Sequence, residues 1–247
     1  MHPDNLSASR YIRIWHALRA AAFLGAIGAL FGIGGAHAQD AGSKSAALIQ
    51  SANAAAQPFL TDPRWSAVRN AFGGARAVVI VPHDLQGGFI LTASGGDGVL
   101  LRRHGNLWSD PVFVHVGSAG VGFQAGAESQ CLLMLIMSDA TVDQILQGTM
   151  SVGGSAGFAL ANLGLGGGGS GNITNGLEIL SVATASGLFA GSGISGLQLS
   201  PQDAFNQANY GPGYNMQVIA SGTGGNVMAA AGLRGALIQA VTQAWYQ

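Results

Sequence analysis

The 247-residue sequence contains one cysteine, Cys131, so no intramolecular disulfide can form and stability has to come from packing. Its setting, QCLLMLIMSD, is an apolar run with no cation beside it, which marks a small buried hydrophobe and not a reactive thiolate. Charge is sparse too: Asp, Glu, Lys and Arg make up 9% of positions, and lysines are few. A basic face for nucleic acid cannot be assembled from so little, and nucleic acid is not expected as a partner. Nor does the chain contain H-E-x-x-H, G-x-S-x-G, C-x-x-C or a phosphate loop; Gly95–Gly98 (GGDG) lacks the Lys-Ser/Thr that would follow. His83, His104 and His115, with Asp84, Asp97 and Asp110 near them, are the raw material for a metal site or hydrolytic pair. An exposed or hydrogen-bonded histidine is the simpler reading of each, so no enzymatic activity, cofactor or metal is expected.

The N-terminus carries Arg10, Arg13 and Arg19, then the apolar run Ala20–Gly35, then Ala36-His37-Ala38. That order reads as a secretory signal peptide over residues 1–38, because the run is shorter than the roughly 20 residues a bilayer span needs and small residues close it. No cysteine follows the run, so a lipoprotein anchor is not expected there; the mature protein is expected to be periplasmic or secreted. Removing the leader's three arginines and Asp4 leaves seven cations and ten acids, a net charge of −3. No Pro-rich or charged linker divides residues 39–247, which are read as one domain.

Ser43–Leu60 is alanine-rich with Leu48, Ile49, Ala52 and Ala56 at helical spacing, and Asp62-Pro63 closes it. Ala77–Pro82 (AVVIVP) reads as a central strand ended by its proline. Ser94–Gly98 (SGGDG) carries turn chemistry between two apolar runs and predicts a hairpin. Val112–Gln124 and Cys131–Met137 read as strands, and Asp139–Gln147 as a helix with acids near its start. The glycine-rich second half predicts further strands over Ser151–Leu160 and Leu177–Leu199, a flexible loop over Leu163–Asn172 and a short helix over Pro201–Asn209. Over Val227–Tyr246, helix and glycine-broken coil compete. GSAG at Gly117–Gly120 recurs at Gly154–Gly157, a weak internal echo that low-complexity sequence also produces by chance. Short runs joined by tight turns predict an α+β fold: a strongly curved, mostly antiparallel, glycine-rich, barrel-like sheet with a few packed helices.

Gly95–Glu128 concentrates glycine, alternating apolar residues, the doublet Arg102-Arg103 and a Trp-Ser-Asp-Pro turn. Glycine repeated through strand-like sequence points to backbones that approach each other or a ligand closely. Strand neighbours face opposite ways, so one arginine of the doublet is expected to meet solvent or ligand while the other faces the opposite layer.

The ordered series AVVIVP (Ala77–Pro82), GGFILTASGGDGVLLRR (Gly87–Arg103), WSDPVFV (Trp108–Val114), GVGFQAGAES (Gly120–Ser129), GLFAG (Gly187–Gly191) and NQANYG (Asn206–Gly211) resembles the SYLF family of lipid-binding domains. The resemblance covers about Ala46 to Gly211, leaving 212–247 as a C-terminal extension. It implies a module without enzymatic activity, a glycine-rich curved sheet with helices packed at one end, and relatives that bind phosphoinositide membranes and associate with actin-rich structures. Actin is not expected as a partner in a bacterial periplasm. Two departures, Gly166–Gly169 in place of a glycine-proline-x-glycine segment and Val182–Ser186 in place of a tyrosine-serine-basic pattern, remove groups that could meet a head group. Strong phosphoinositide selectivity is therefore not expected.

Anionic lipid binding needs cations for phosphate and aromatics for the acyl boundary. Arg102, Arg103 and His104 are the head-group candidates; Trp108 and Phe113 are candidates for a membrane-interface or a packing role. For the arginines the alternative is a solvated strand end or a salt bridge to Asp97 or Asp110. An anionic phospholipid surface, held weakly and peripherally, is the expected partner, with a self-associating envelope protein as the alternative and oligomeric state left open.

Overall fold

The computed structural model describes residues 40–88, 91–121, 126–152, 158–162, 179–186, 197–222 and 227–246. The leader expected over 1–38, the Leu163–Asn172 loop, the second GSAG and the GLFAG segment lie outside them, wholly or nearly so.

Helix α1 covers 40–61, starting three residues before the expected Ser43. Ile49, Ala52, Ala56 and Phe59 fall on one stripe and are fully buried. Asp62 ends the helix and caps a 3-10 turn, Pro63–Trp65, by accepting from the Arg64 N–H. Helix α2 (Ser66–Phe72) follows directly.

The strands are β1 (Ala77–Gly88), β2 (Leu91–His104), β3 (Leu107–Trp108), β4 (Val112–Val121), β5 (Gly126–Ile136), β6 (Met150–Val152), β7 (Phe158–Asn162), β8 (Ile179–Ser186) and β9 (Leu197–Pro201). They form one sheet in the order β6-β9-β4-β2-β1-β5-β8-β7, with β3 paired to β2 off that path, curved into a half-barrel. Every described pairing is antiparallel except β7 with β8. Helices α3 (Asp139–Leu146), α4 (Asp203–Tyr210), α5 (Met216–Ser221) and α6 (Ala231–Trp245) complete the fold. The contest over Val227–Tyr246 goes to helix.

Period-two alternation sorts the core into two layers. Val78 and Ile80 of β1, with Val99, Leu101, Phe113, Leu133 and Leu135, face α1, α2 and α6. Ala77, Val79 and Val81, with Leu100, Val112, Val114, Leu132 and Met134, face α3 and α5. Both layers gather where β1 begins and β2 and β5 end, so the helices crowd that end of the sheet on both its faces.

Two strand limits differ from expectation. Pro82 does not end β1: the ladder to β2 steps from Ile80↔Val99 to Leu85↔Gly95, and that to β5 from Val81↔Leu132 to Asp84↔Gln130, one extra residue on β1 each time. A proline has no N–H to give a ladder, and a bulge is where a strand accommodates one. Ser94–Gly98 is not a turn but the middle of β2, paired with β4 from Ser94↔Ser118 to Gly98↔Val114. The glycines serve close approach instead: a Cβ on Gly96 would strike the His83 carbonyl and come within 2.7 Å of Val81 Cγ1, and one on Gly98 would lie 2.7 Å from the Ile80 carbonyl oxygen. β2 lies tight against the bulged stretch of β1, and only glycine leaves room for it.

Candidate functional site

The end of β2 divides the arginine doublet between the two faces. Arg102 shares the face of Leu100 and reaches α3, its Nη1 donating to Asp143 Oδ1 at 2.7 Å and its Nη2 to Asp139 Oδ1 at 3.3 Å. The salt-bridge alternative named Asp97 or Asp110; the partners are instead two carboxylates one helical turn apart on α3. Arg76, just before β1, pairs through Nε with the second oxygen of Asp139 at 3.5 Å.

Arg103 shares the face of Leu101 and turns toward α2 and α6. Its Nη1 donates to the carbonyls of Phe72 and Gly73, both at 3.0 Å, and its guanidinium lies 5.9 Å from the Trp245 ring centroid. These carbonyls are the open C-terminal end of α2, where a cation is favourable. Partial burial, with the neighbouring Arg76 charge adding to it, holds the Arg103 pKa below the usual arginine range. Trp245 Nε1 donates to the same Gly73 carbonyl at 3.4 Å. Trp245 is 52% exposed and Tyr246 next to it 86% exposed. His104 turns away, its Nε2 donating to the Ala220 carbonyl of α5 at 2.6 Å.

Trp108 and Phe113 are 1% and 0% exposed, so neither ring reaches a membrane boundary. Phe113 packs edge-on against Phe205 at 5.9 Å. Of the two roles open to these aromatics, packing is the one their positions allow.

The Trp-Ser-Asp-Pro turn is a junction for distant parts of the chain. The Ser109 N–H donates to the Arg102 carbonyl at 2.8 Å, and Ser109 Oγ accepts from the Arg102 N–H at 3.0 Å. Asp110 receives Arg234 Nη1 of α6 at 2.6 Å in a pair whose side chains are 7% and 14% exposed, and the Val227 N–H at 3.3 Å. The Pro111 carbonyl accepts from Tyr210 OH at 2.6 Å. Burial, reinforced by the Asp110 charge, raises the Tyr210 pKa, so the phenol stays a donor. Asn206 is fully buried, and its side-chain amide brackets the Phe113 backbone: Oδ1 accepts the N–H at 2.9 Å and Nδ2 donates to the carbonyl at 2.7 Å. It substitutes for a strand where β9 has ended, since β9 pairs with β4 only from Val114 onward. The NQANYG segment is thus a structural clamp on this turn.

Of the histidine and acid pairs weighed for catalysis, the structure joins His115 Nδ1 to Asp97 Oδ1 at 2.9 Å, directly across the β2–β4 ladder, with Gln202 Nε2 donating to the same oxygen at 2.9 Å. Among the described residues no three His, Cys, Asp or Glu converge as a metal site would require. No helix of the described residues is long and apolar enough to cross a membrane.

Sequence reasoning missed Arg76, Trp245, Tyr246, Arg234 and Asn206. An exposed Trp-Tyr pair ending the last helix was a readable signal; the Arg234–Asp110 and Asn206–Phe113 links, 124 and 93 residues apart, left none.

The structure is a glycine-rich half-barrel whose polar motifs tie the fold together, with an arginine and tryptophan rim at its helix-covered end. The chain belongs to the Ysc84 (SYLF) family, whose model, described as Las17-binding protein actin regulator, matches residues 117–243. That match takes in α6 as far as Gln243. It is 30% identical over 129 residues to SH3 domain-containing YSC84-like protein 1 of Xenopus laevis, covering 51% of this chain and 38% of the relative. With the proteins of the same name from Bos taurus and Homo sapiens the identity is 28% and 27% over 128 residues, 51% of this chain and 38% and 37% of theirs. The chain thus spans less than two-fifths of the length of these relatives.

Proposed function

We propose that this domain is a non-catalytic module of the cell envelope that binds anionic phospholipid surfaces peripherally, through the rim where Arg76 and Arg103 meet Trp245 and Tyr246. The observation that carries the reading is the Arg103 guanidinium seated 5.9 Å from the face of a half-exposed tryptophan, with Arg76 half exposed beside it. Trp and Tyr favour the membrane–water interface, and each basic residue near an anionic surface contributes about 1 kcal/mol. So small a charge gives weak, salt-sensitive binding. Export through residues 1–38 would deliver the domain to such a surface, and would leave the actin link in the family's description without a partner.

Co-sedimentation with phosphatidylglycerol and phosphatidylcholine vesicles at low and moderate salt tests this. Binding confined to phosphatidylglycerol, weakened by salt and lost in Arg76→Ala/Trp245→Ala, is the expected result. Equal binding by that variant, or none by the wild type, refutes it; a concentration-dependent rise in mass without vesicles points to self-association instead.

A further inference from the structure

We propose that Asp139 and Asp143 of α3 act as a built-in competitor at the arginine rim, occupying Arg76 and Arg102 in place of an external anion and setting the threshold of surface charge at which the domain binds. The inference rests on the membrane reading above and concerns its regulation.

Asp139 is shared between two guanidiniums, one oxygen at 3.3 Å from Arg102 Nη2 and the other at 3.5 Å from Arg76 Nε. A phosphate would bridge the same two groups in the same way, with oxygens in place of the carboxylate's. Asp143 takes the remaining Arg102 nitrogen at 2.7 Å. Both carboxylates are about half exposed, so water and salt reach them and the pairs exchange readily with other anions. The helix beneath is fixed: Val142, Ile145 and Leu146 are buried against the sheet, and Ser138 caps its start. Displacement therefore needs only new side-chain rotamers, not movement of α3. At rest the guanidiniums of Arg76 and Arg102 are offset by two carboxylates; with those turned aside both charges are uncovered, Arg76 the more exposed of the two.

The test measures binding of the full chain to phosphatidylglycerol vesicles for Asp139→Asn and Asp143→Asn, with Asp40→Asn, an exposed acid paired to Lys44 on α1, as a control of equal charge change. Asp143→Asn is also placed in an Arg102→Ala background. Removing one competing charge should tighten binding about fivefold. The Asp40→Asn change should leave affinity within about twofold, and the gain should vanish when Arg102 is absent. An equal gain in the Arg102→Ala background or from Asp40→Asn overturns the proposal, because it would reflect net charge and not competition. Wild-type binding with no gain from either α3 variant also overturns it, leaving the membrane reading intact. If neither wild type nor any variant binds, the membrane reading falls and the competition falls with it.

Discussion

Asn206 offers the sharpest test of how this fold is held. Replacing it with alanine deletes both hydrogen bonds to the Phe113 backbone in a site with no solvent access. The Phe113 carbonyl keeps a second donor, the Gln202 N–H at 3.0 Å, so its loss is one ordinary bond, about 1 kcal/mol. The Phe113 N–H is left with no acceptor at that position, which costs about 2 kcal/mol for an orphaned buried donor. Asn206→Ala should therefore lower unfolding free energy by about 3 kcal/mol, read from urea titration followed by circular dichroism. Asn206→Asp separates the two contacts: it keeps the acceptor but sets a second carboxylate oxygen 2.7 Å from the Phe113 carbonyl. Burial and that carbonyl favour the protonated acid, which can donate, so the folded-state pKa rises above the unfolded value of about 3.9. A raised folded-state pKa means the deficit is smallest below about pH 4 and grows as pH climbs through the folded value. Wild type at each pH serves as reference. A loss under about 1 kcal/mol for the alanine variant, or wild-type stability of Asn206→Asp at neutral pH, would show that the amide does not act as a surrogate strand.

The β1–β2 approach predicts opposite outcomes for two chemically identical changes. Gly98→Ala forces a methyl against the Ile80 carbonyl and should cost about 2 kcal/mol or more, whereas Gly235→Ala, in open space within α6, should add about 1 kcal/mol; paired thermal melts decide. Arg234→Ala strips the buried Asp110 carboxylate of its cation and should cost about 3 kcal/mol, while the double variant Asp110→Asn/Arg234→Ala should lose less than the sum of its singles. Burial pushes the Cys131 thiol up to about 12, so a disulfide reagent at mildly alkaline pH should label the unfolded chain and spare the native one. The same shift makes unfolding release a proton above the thiol's ordinary range, so stability should fall with rising pH from about 9 toward 12. Rapid native labelling would contradict that burial.

What could be read in advance was local. The β-branched run from Ala77, the apolar stripe of α1 and the acid-led α3 declare themselves by period, and the opposite facing of Arg102 and Arg103 follows from the pleat alone. The errors at Pro82 and at Ser94–Gly98 share one cause: both residue types signal turns in isolation, and only the neighbouring strand reveals that here they make a bulge and a place to nest against it. The setting of the candidate residues was hidden for a related reason. Sequence proximity nominated Trp108 beside the arginines, but β3 carries that ring under α6, and the exposed aromatic comes from residue 245 at the far end of the chain. Likewise the arginine's acids were sought at Asp97 and Asp110, close in sequence, when the fold supplied α3.

The reach of α6 has a consequence for how the protein is made. Asp110 waits 124 residues for its cation, and the layer formed by Val78, Ile80, Val99 and Leu101 stays open on one side until Leu233, Leu237 and Val241 have been synthesised. A chain halted before that helix leaves part of that sheet face uncovered and Asp110 without Arg234, a combination that invites aggregation and chaperone capture. High contact order adds slow closure once the last helix appears. For this domain α6 is the element that completes the fold, and C-terminal truncation is the intervention its assembly should tolerate least.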